Sequence, residues 1–213
     1  MSGSRETSSD RSCSESDLKL SKIKYGLEFL DKLRQDTIVF AGISGSVSYE
    51  PKENDDVDIF LITEDDALWS VIARAFLLRR SLKMHDICIS LCMSKSYAIH
   101  YFSNIEEDLI ISDANHVIPV HGHDFYRYLL SIMGKKGNIF NERSQESRLS
   151  IRRAVLFSAM SSFLLLKGFF VNMTLKKNGK SAEAFKTLTS KDYFILDSEK
   201  YRMLKRMASG ESS

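Results

Sequence analysis

The stretch Gly42-Ile-Ser-Gly-Ser-Val-Ser-Tyr-Glu-Pro-Lys-Glu-Asn-Asp-Asp-Val-Asp-Ile-Phe-Leu-Ile-Thr63 decides how this chain folds. Thr37 to Ile43 and Val57 to Thr63 are short, apolar and β-branched, so both read as buried strands. Ser44 to Asp55, between them, holds Gly45, Pro51, Asn54 and several charges, the composition of a loop. The pair Gly45-Ser46 leaves the first strand, and Asp56-Val57-Asp58 opens the second. Alternate side chains of a strand share a face about 6 to 7 Å apart, so the carboxylates of Asp56 and Asp58 can converge. Holding two like charges in an apolar strand is costly unless a cation lies with them.

That requirement points to Mg²⁺, which takes oxygen ligands and combines one or two carboxylates with substrate phosphates. A glycine turn offers the complementary half, because backbone N–H groups and a hydroxyl can hold phosphate oxygens. A metal grip beside a phosphate grip suits a nucleoside triphosphate, and two ions can serve an in-line displacement.

Upstream, Leu20, Ile23, Leu27 and Leu30 recur at helical spacing and predict an amphipathic helix over 17–34, with Ser14 placed to cap it. Residues 1–16 are rich in Ser and charge, with no aliphatic residue beyond Met1, and are expected to form a disordered tail. Downstream, Asp66 stands where it would cap a helix over 67–80, and a third strand is expected from Asp86 to Met93. Helices near 104–113 and 123–133 come next, then a polar break over 134–146. A long helix over 149–172 and a charged amphipathic one over 198–207 complete the chain. The expected class is α/β (α+β): a short mixed sheet flanked by helices over 17–135, then a helical C-terminal region over 136–213.

The 213 residues carry 30 Lys and Arg against 28 Asp and Glu, a formal charge of +2, so the overall balance announces no general nucleic-acid or anionic-membrane binder. Cys13, Cys88 and Cys92 are an odd set without a disulfide spacing, and the N-terminus has no apolar signal segment. Reduced thiols and a cytoplasmic location follow as expectations. Ala154 to Met173 has the length to span a bilayer, at roughly 20 residues, and basic pairs flank it at Arg152-Arg153 and Lys176-Lys177. Ser158, Ser161, Ser162, Lys167 and Asn172 interrupt that run, so a core helix is expected there and no membrane partner.

In its motif, the chain resembles the nucleotidyltransferases of the DNA polymerase β superfamily, whose pattern is an apolar residue, Gly-Ser, a short loop, then Asp-apolar-Asp-apolar. Here nine residues, Val47 to Asp55, separate Gly45-Ser46 from Asp56-Val57-Asp58-Ile59. The chain is most similar to small prokaryotic members with a Trp-containing helix after the second strand, as at Ala67-Leu-Trp69, and with a late segment like Phe185 to Tyr201. The resemblance implies Mg²⁺-dependent transfer of a nucleoside monophosphate from a nucleoside triphosphate to an acceptor hydroxyl, releasing pyrophosphate. It implies Gly45 and Ser46 as nucleotide-binding residues, and Asp56 and Asp58 as metal ligands and catalytic residues.

The family also places a third acid on a later strand. Asp86 is the candidate, as ligand and as the group that helps activate the acceptor. If it faces away, Ser90 takes the central position and the site keeps two acids. The chain would then be a catalytically impaired nucleotide-binding or interaction module. The acceptor is open between a small molecule, an RNA end and a protein side chain.

Weaker signals read as structural. His121 and His123 lack further ligands for zinc, and Cys88 and Cys92 are too far apart along a strand to chelate one ion. Arg79 and Arg80 suit the end of a helix, and Lys176, Lys177 and Lys180 suit a solvated loop.

Overall fold

The second strand of the decisive stretch, Val57–Thr63, is covered on both faces, which is why it reads as an almost unbroken apolar run. The structure is a computed structural model and describes residues 8–105, 108–135, 151–180 and 184–198. Its elements in chain order are α1 (Ser8–Leu33), β1 (Ile38–Ser44), a 3-10 turn (Gly45–Ser48), β2 (Val57–Thr63), α2 (Leu68–Ser81), β3 (Ile87–Ser94), α3 (Lys95–Ser103), α4 (Asp108–His116), β4 (Ile118–His121), α5 (His123–Ile132), α6 (Ile151–Lys177), β5 (Phe185–Thr189) and β6 (Tyr193–Ser198).

The six strands form one sheet in the order β4-β1-β2-β3-β6-β5. β2 and β3 run parallel, as a helical crossover through α2 requires, and the other neighbours are antiparallel. The sheet is therefore mixed, and the chain α+β. Side chains alternate across each strand, so β2 feeds two cores. Val57, Ile59 and Leu61 join Ile43, Ile87 and Ile89 in a cluster that includes Leu30, Ile72 and Leu164 from α1, α2 and α6. Phe60 and Ile62 join Phe40 and Met93 beneath α3, α4 and α5. Full burial of each such side chain contributes about 1.5 to 3 kcal/mol.

Several elements depart from the sequence reading. α1 begins at Ser8, inside the stretch expected to be a tail; once its C-terminal half is anchored, each added residue makes one more helical bond without a new nucleus. Asp66 does not cap α2; its carboxylate pairs with Arg153 at 2.6 Å. α4 sits at Asp108–His116 rather than 104–113, and α3 had no counterpart in the reading. β4 is a four-residue edge strand containing Pro119, too short to show a period.

The region read as helical also contains β5 and β6, which extend the sheet through β6 against β3. Trp69 of α2 holds their turn, its Nε1–H donating to the carbonyls of Ser190 (3.2 Å) and Lys191 (3.1 Å). The helix expected over 198–207 lies, beyond Ser198, outside the described residues. α6 is not a core helix either. Ser161 and Leu164 are buried on one flank, whereas Val155, Leu166, Phe169 and Phe170 on the opposite side are exposed.

Candidate functional site

β1 and β2 are antiparallel, so the end of one meets the beginning of the other, with Ser44 opposite Asp58. The Gly45 turn therefore folds directly over the aspartate strand. Gly45 has φ +68°, a left-handed conformation that L side chains rarely adopt, and a Cβ placed on it would fall on Asp58 Oδ2. No other residue fits without moving that carboxylate. The two halves of the motif, ten or more residues apart in sequence, are thus in van der Waals contact.

Within the turn, Ser48 Oγ donates back to the Gly45 carbonyl at 2.7 Å, and Tyr49 N–H donates to the Ser46 carbonyl at 3.0 Å. Two lysines of α1 hold the loop that follows. Lys19 Nζ donates to the carbonyls of Ser48 (3.0 Å) and Tyr49 (2.9 Å), and Lys22 Nζ donates to those of Glu53 and Asp55. On the other side Tyr49 bonds Asp113 and stacks on His116, with ring centroids 4.1 Å apart, tying the loop to α4.

Asp58 is the second residue of β2 and Asp56 stands one residue before the strand, near enough for its charge to act on Asp58. Burial, then the neighbouring charges of Asp56 and Asp55, pushes the Asp58 carboxyl up to about 6, even though Cys88 and Ser90 donate hydrogen bonds to it. Asp56 stands at the exposed rim. Its carboxyl is raised first by partial desolvation; Arg79 and Lys22 pull it down while Asp86 and Asp55 push it up. Asp56 is thus the acid that couples to both of the others.

Asp86 lies one residue before β3. Its carbonyl accepts from Val57 N–H at 2.7 Å, and the parallel register, Val57 with Ile87 and Asp58 with Cys88, sets Asp86 across from Asp56 rather than Asp58. The neighbours of Asp58 on β3 are Cys88 and Ser90 instead. A register shift between Ile59 and Phe60 leaves Ser90 as an extra residue, and such a bulge re-aims its side chain. Ser90 Oγ also reaches the Ile59 carbonyl at 3.4 Å. Among the described residues no group of three or more His, Cys, Asp or Glu is gathered so as to hold a metal ion.

Sequence reasoning missed two contributors. Cys88 reads as a core thiol, yet it lies beside Asp58, and burial first and Asp58 second push its thiol well above the ordinary range; Cys92 is the fully buried one. Arg79 reads as a helix-end cation. Its guanidinium in fact holds the turn into β3, donating to the carbonyls of Met84 (3.3 Å) and His85 (2.6 Å), and it is the first cation to act on Asp56. The break in apolar alternation at Ser90 was the available signal for the bulge. His121 and His123 are exposed.

Compared with protein-family models, curated proteins and solved structures, the chain gives no match. Fold and site define it as a mixed α/β protein with a six-stranded sheet, whose glycine turn closes over an acid-bearing strand end.

Proposed function

We propose that the chain is a nucleotidyltransferase that binds a nucleoside triphosphate with Mg²⁺ and transfers the nucleoside monophosphate to an acceptor hydroxyl. The observation that supports this reading most is the packing of Gly45 on the Asp58 carboxylate, which sets a phosphate-type turn against paired acids. The donor set fits the ion: two carboxylates at the start of β2, each raised by burial and by other acids, with substrate phosphates to supply the remaining oxygens. Asp56 and Asp58 would hold it, with Asp86 across the rim from Asp56. When bound, Mg²⁺ supplies charge neutralisation for the triphosphate and the departing pyrophosphate.

The chain's own groups then have separate tasks. The backbone N–H groups of the Gly45-Ser46 turn and the Ser46 hydroxyl hold phosphate oxygens. Lys22 and Arg79 keep the loop and the start of β3 in place while moderating the acidic field at Asp56. The acceptor oxygen attacks the α-phosphorus, the bond to the bridging oxygen of pyrophosphate breaks, and Asp86, exposed at the rim, takes the acceptor proton. The acceptor itself is a small molecule, an RNA end or a protein side chain.

One observation favours a second reading. Cys88 and Ser90, not an acid, stand beside Asp58 on β3, which suits a module that binds nucleotide and turns over little. Incubation of the purified chain with labelled triphosphates, Mg²⁺ and a cell extract separates the two. Pyrophosphate release with label passing to an acceptor, reduced in Asp86→Asn, supports transfer. Mg²⁺-dependent binding without release supports the module, and no binding removes both.

A further inference from the structure

We infer that α6 rests in the surface of an anionic lipid bilayer, its uncovered face in the boundary between headgroups and acyl chains. Eight of the large apolar side chains exposed among the described residues belong to this one helix, Phe169 at 62% and Leu166 at 57% among them, and Leu77 of α2, at 70%, lines a hollow with Leu156 of the same helix. Contiguous apolar surface of this kind marks a docking site rather than ordinary exterior.

Charge selects the occupant. α2 and α6 together carry eight Lys and Arg and not one Asp or Glu, in a chain whose overall charge is only +2. Arg79, Lys167 and Arg153 are engaged elsewhere, on the turn into β3, over the Phe76 ring and with Asp66, which leaves Arg74 and Arg80 of α2 and Lys176 and Lys177 of α6 exposed to solvent. Asp66 pairs with Arg153, while Lys176 and Lys177 at the other end of α6 are exposed. A second copy of the chain is a poor occupant: parallel pairing of α6 sets Lys176 and Lys177 against their own copies, antiparallel pairing sets them against the Arg152-Arg153 end, neither helix carries an Asp or Glu of its own, and like-charge contacts oppose association. Anionic headgroups over an acyl layer satisfy both the charge and the apolar face.

The helix lies on the bilayer and does not cross it. Arg153 to Lys177 has the length to span and contains an 18-residue window of mean hydropathy 1.9, but its other flank is fastened to the sheet. Asn172 exchanges two hydrogen bonds with the backbone of Phe185, Phe185 N–H donating to Asn172 Oδ1 at 3.0 Å. Gly168 lets β5 approach so closely that a Cβ there would meet Thr187 Oγ1 at 2.5 Å. Insertion would drag the edge strand β5, with its unpaired backbone groups, into hydrocarbon.

Flotation of the purified full chain with vesicles tests this. The chain should float with phosphatidylcholine vesicles containing phosphatidylserine, less with phosphatidylcholine alone, and less at high salt. Leu166→Glu with Phe170→Glu, both on the uncovered face and so compatible with the fold, should lower the partition roughly a hundredfold or more. Lys176→Glu with Lys177→Glu should remove the preference for phosphatidylserine. Failure to float with either vesicle at low salt overturns the inference, as does sedimentation showing self-association that the Leu166→Glu, Phe170→Glu variant abolishes without any vesicle binding.

Discussion

Replacing Gly45 by Ala isolates the contact on which the functional reading depends. Two costs arise. An L residue at φ +68° costs about 1 to 2 kcal/mol. The new methyl also falls on the Asp58 carboxylate, and relieving that overlap by moving side chain or backbone costs typically about 1 to 3 kcal/mol. Gly179→Ala provides the internal reference, because Gly179 has φ +73° and nothing within 4 Å of its would-be Cβ. Urea denaturation should therefore show Gly179→Ala losing only the conformational cost, about 1 to 2 kcal/mol, and Gly45→Ala losing roughly twice as much. In a double-mutant cycle with Asp58→Ala, the penalty of Gly45→Ala should shrink toward that of Gly179→Ala, since the overlapping oxygen is gone. Equal losses in the two single variants, or no coupling in the cycle, would refute the contact between turn and carboxylate.

Three further outcomes follow from the same structure. Asp58 has an ordinary value of 3.8 and is raised to about 6 in the fold, so its contribution to stability is complete below about pH 4 and is lost as the pH rises through about 6. In the metal-free chain this loss amounts to as much as about 3 kcal/mol, read as a falling urea midpoint, and Asp58→Asn should flatten the profile. Trp69→Phe keeps an aromatic side chain but removes the donor to Ser190 and Lys191 together with the five-membered part of a buried indole, which should cost about 1 to 3 kcal/mol in thermal or urea unfolding. Asn172→Ala leaves the Phe185 backbone without its partner and should cost about 1 to 3 kcal/mol, with hydrogen exchange rising first in β5.

The decisive stretch was legible because its signals are local and of different kinds. Apolar β-branched runs give β1 and β2, glycine gives the turn, and the Asp-Val-Asp spacing gives two carboxylates at the start of β2. The helices α2, α5 and α6 were legible from their apolar spacing and length. Pairing was not legible. Whether Asp86 stands by Asp56 or Asp58 depends on the parallel register of β2 with β3, which nothing within either strand specifies; the bulge that brings Ser90 to Asp58 is likewise a property of the pair.

The β5–β6 hairpin was missed because its turn, Ser190-Lys191-Asp192, contains no Gly, while the strands are held from outside by β3 and Trp69. The apolar run of α6 reads as core because composition does not tell which flank finds a partner. One flank does, and the other is left apolar and exposed.

The most direct test of the central claim is calorimetric titration of each nucleoside triphosphate into the wild-type chain and into Asp56→Asn and Asp58→Asn, with and without Mg²⁺. The account predicts binding by the wild type that requires Mg²⁺ and weakens at least tenfold in each variant, a loss of about 1.4 kcal/mol or more, while circular dichroism shows the fold unchanged. Triphosphate binding that is indifferent to Mg²⁺ and to both substitutions, or no binding of any triphosphate by the wild type, would contradict it.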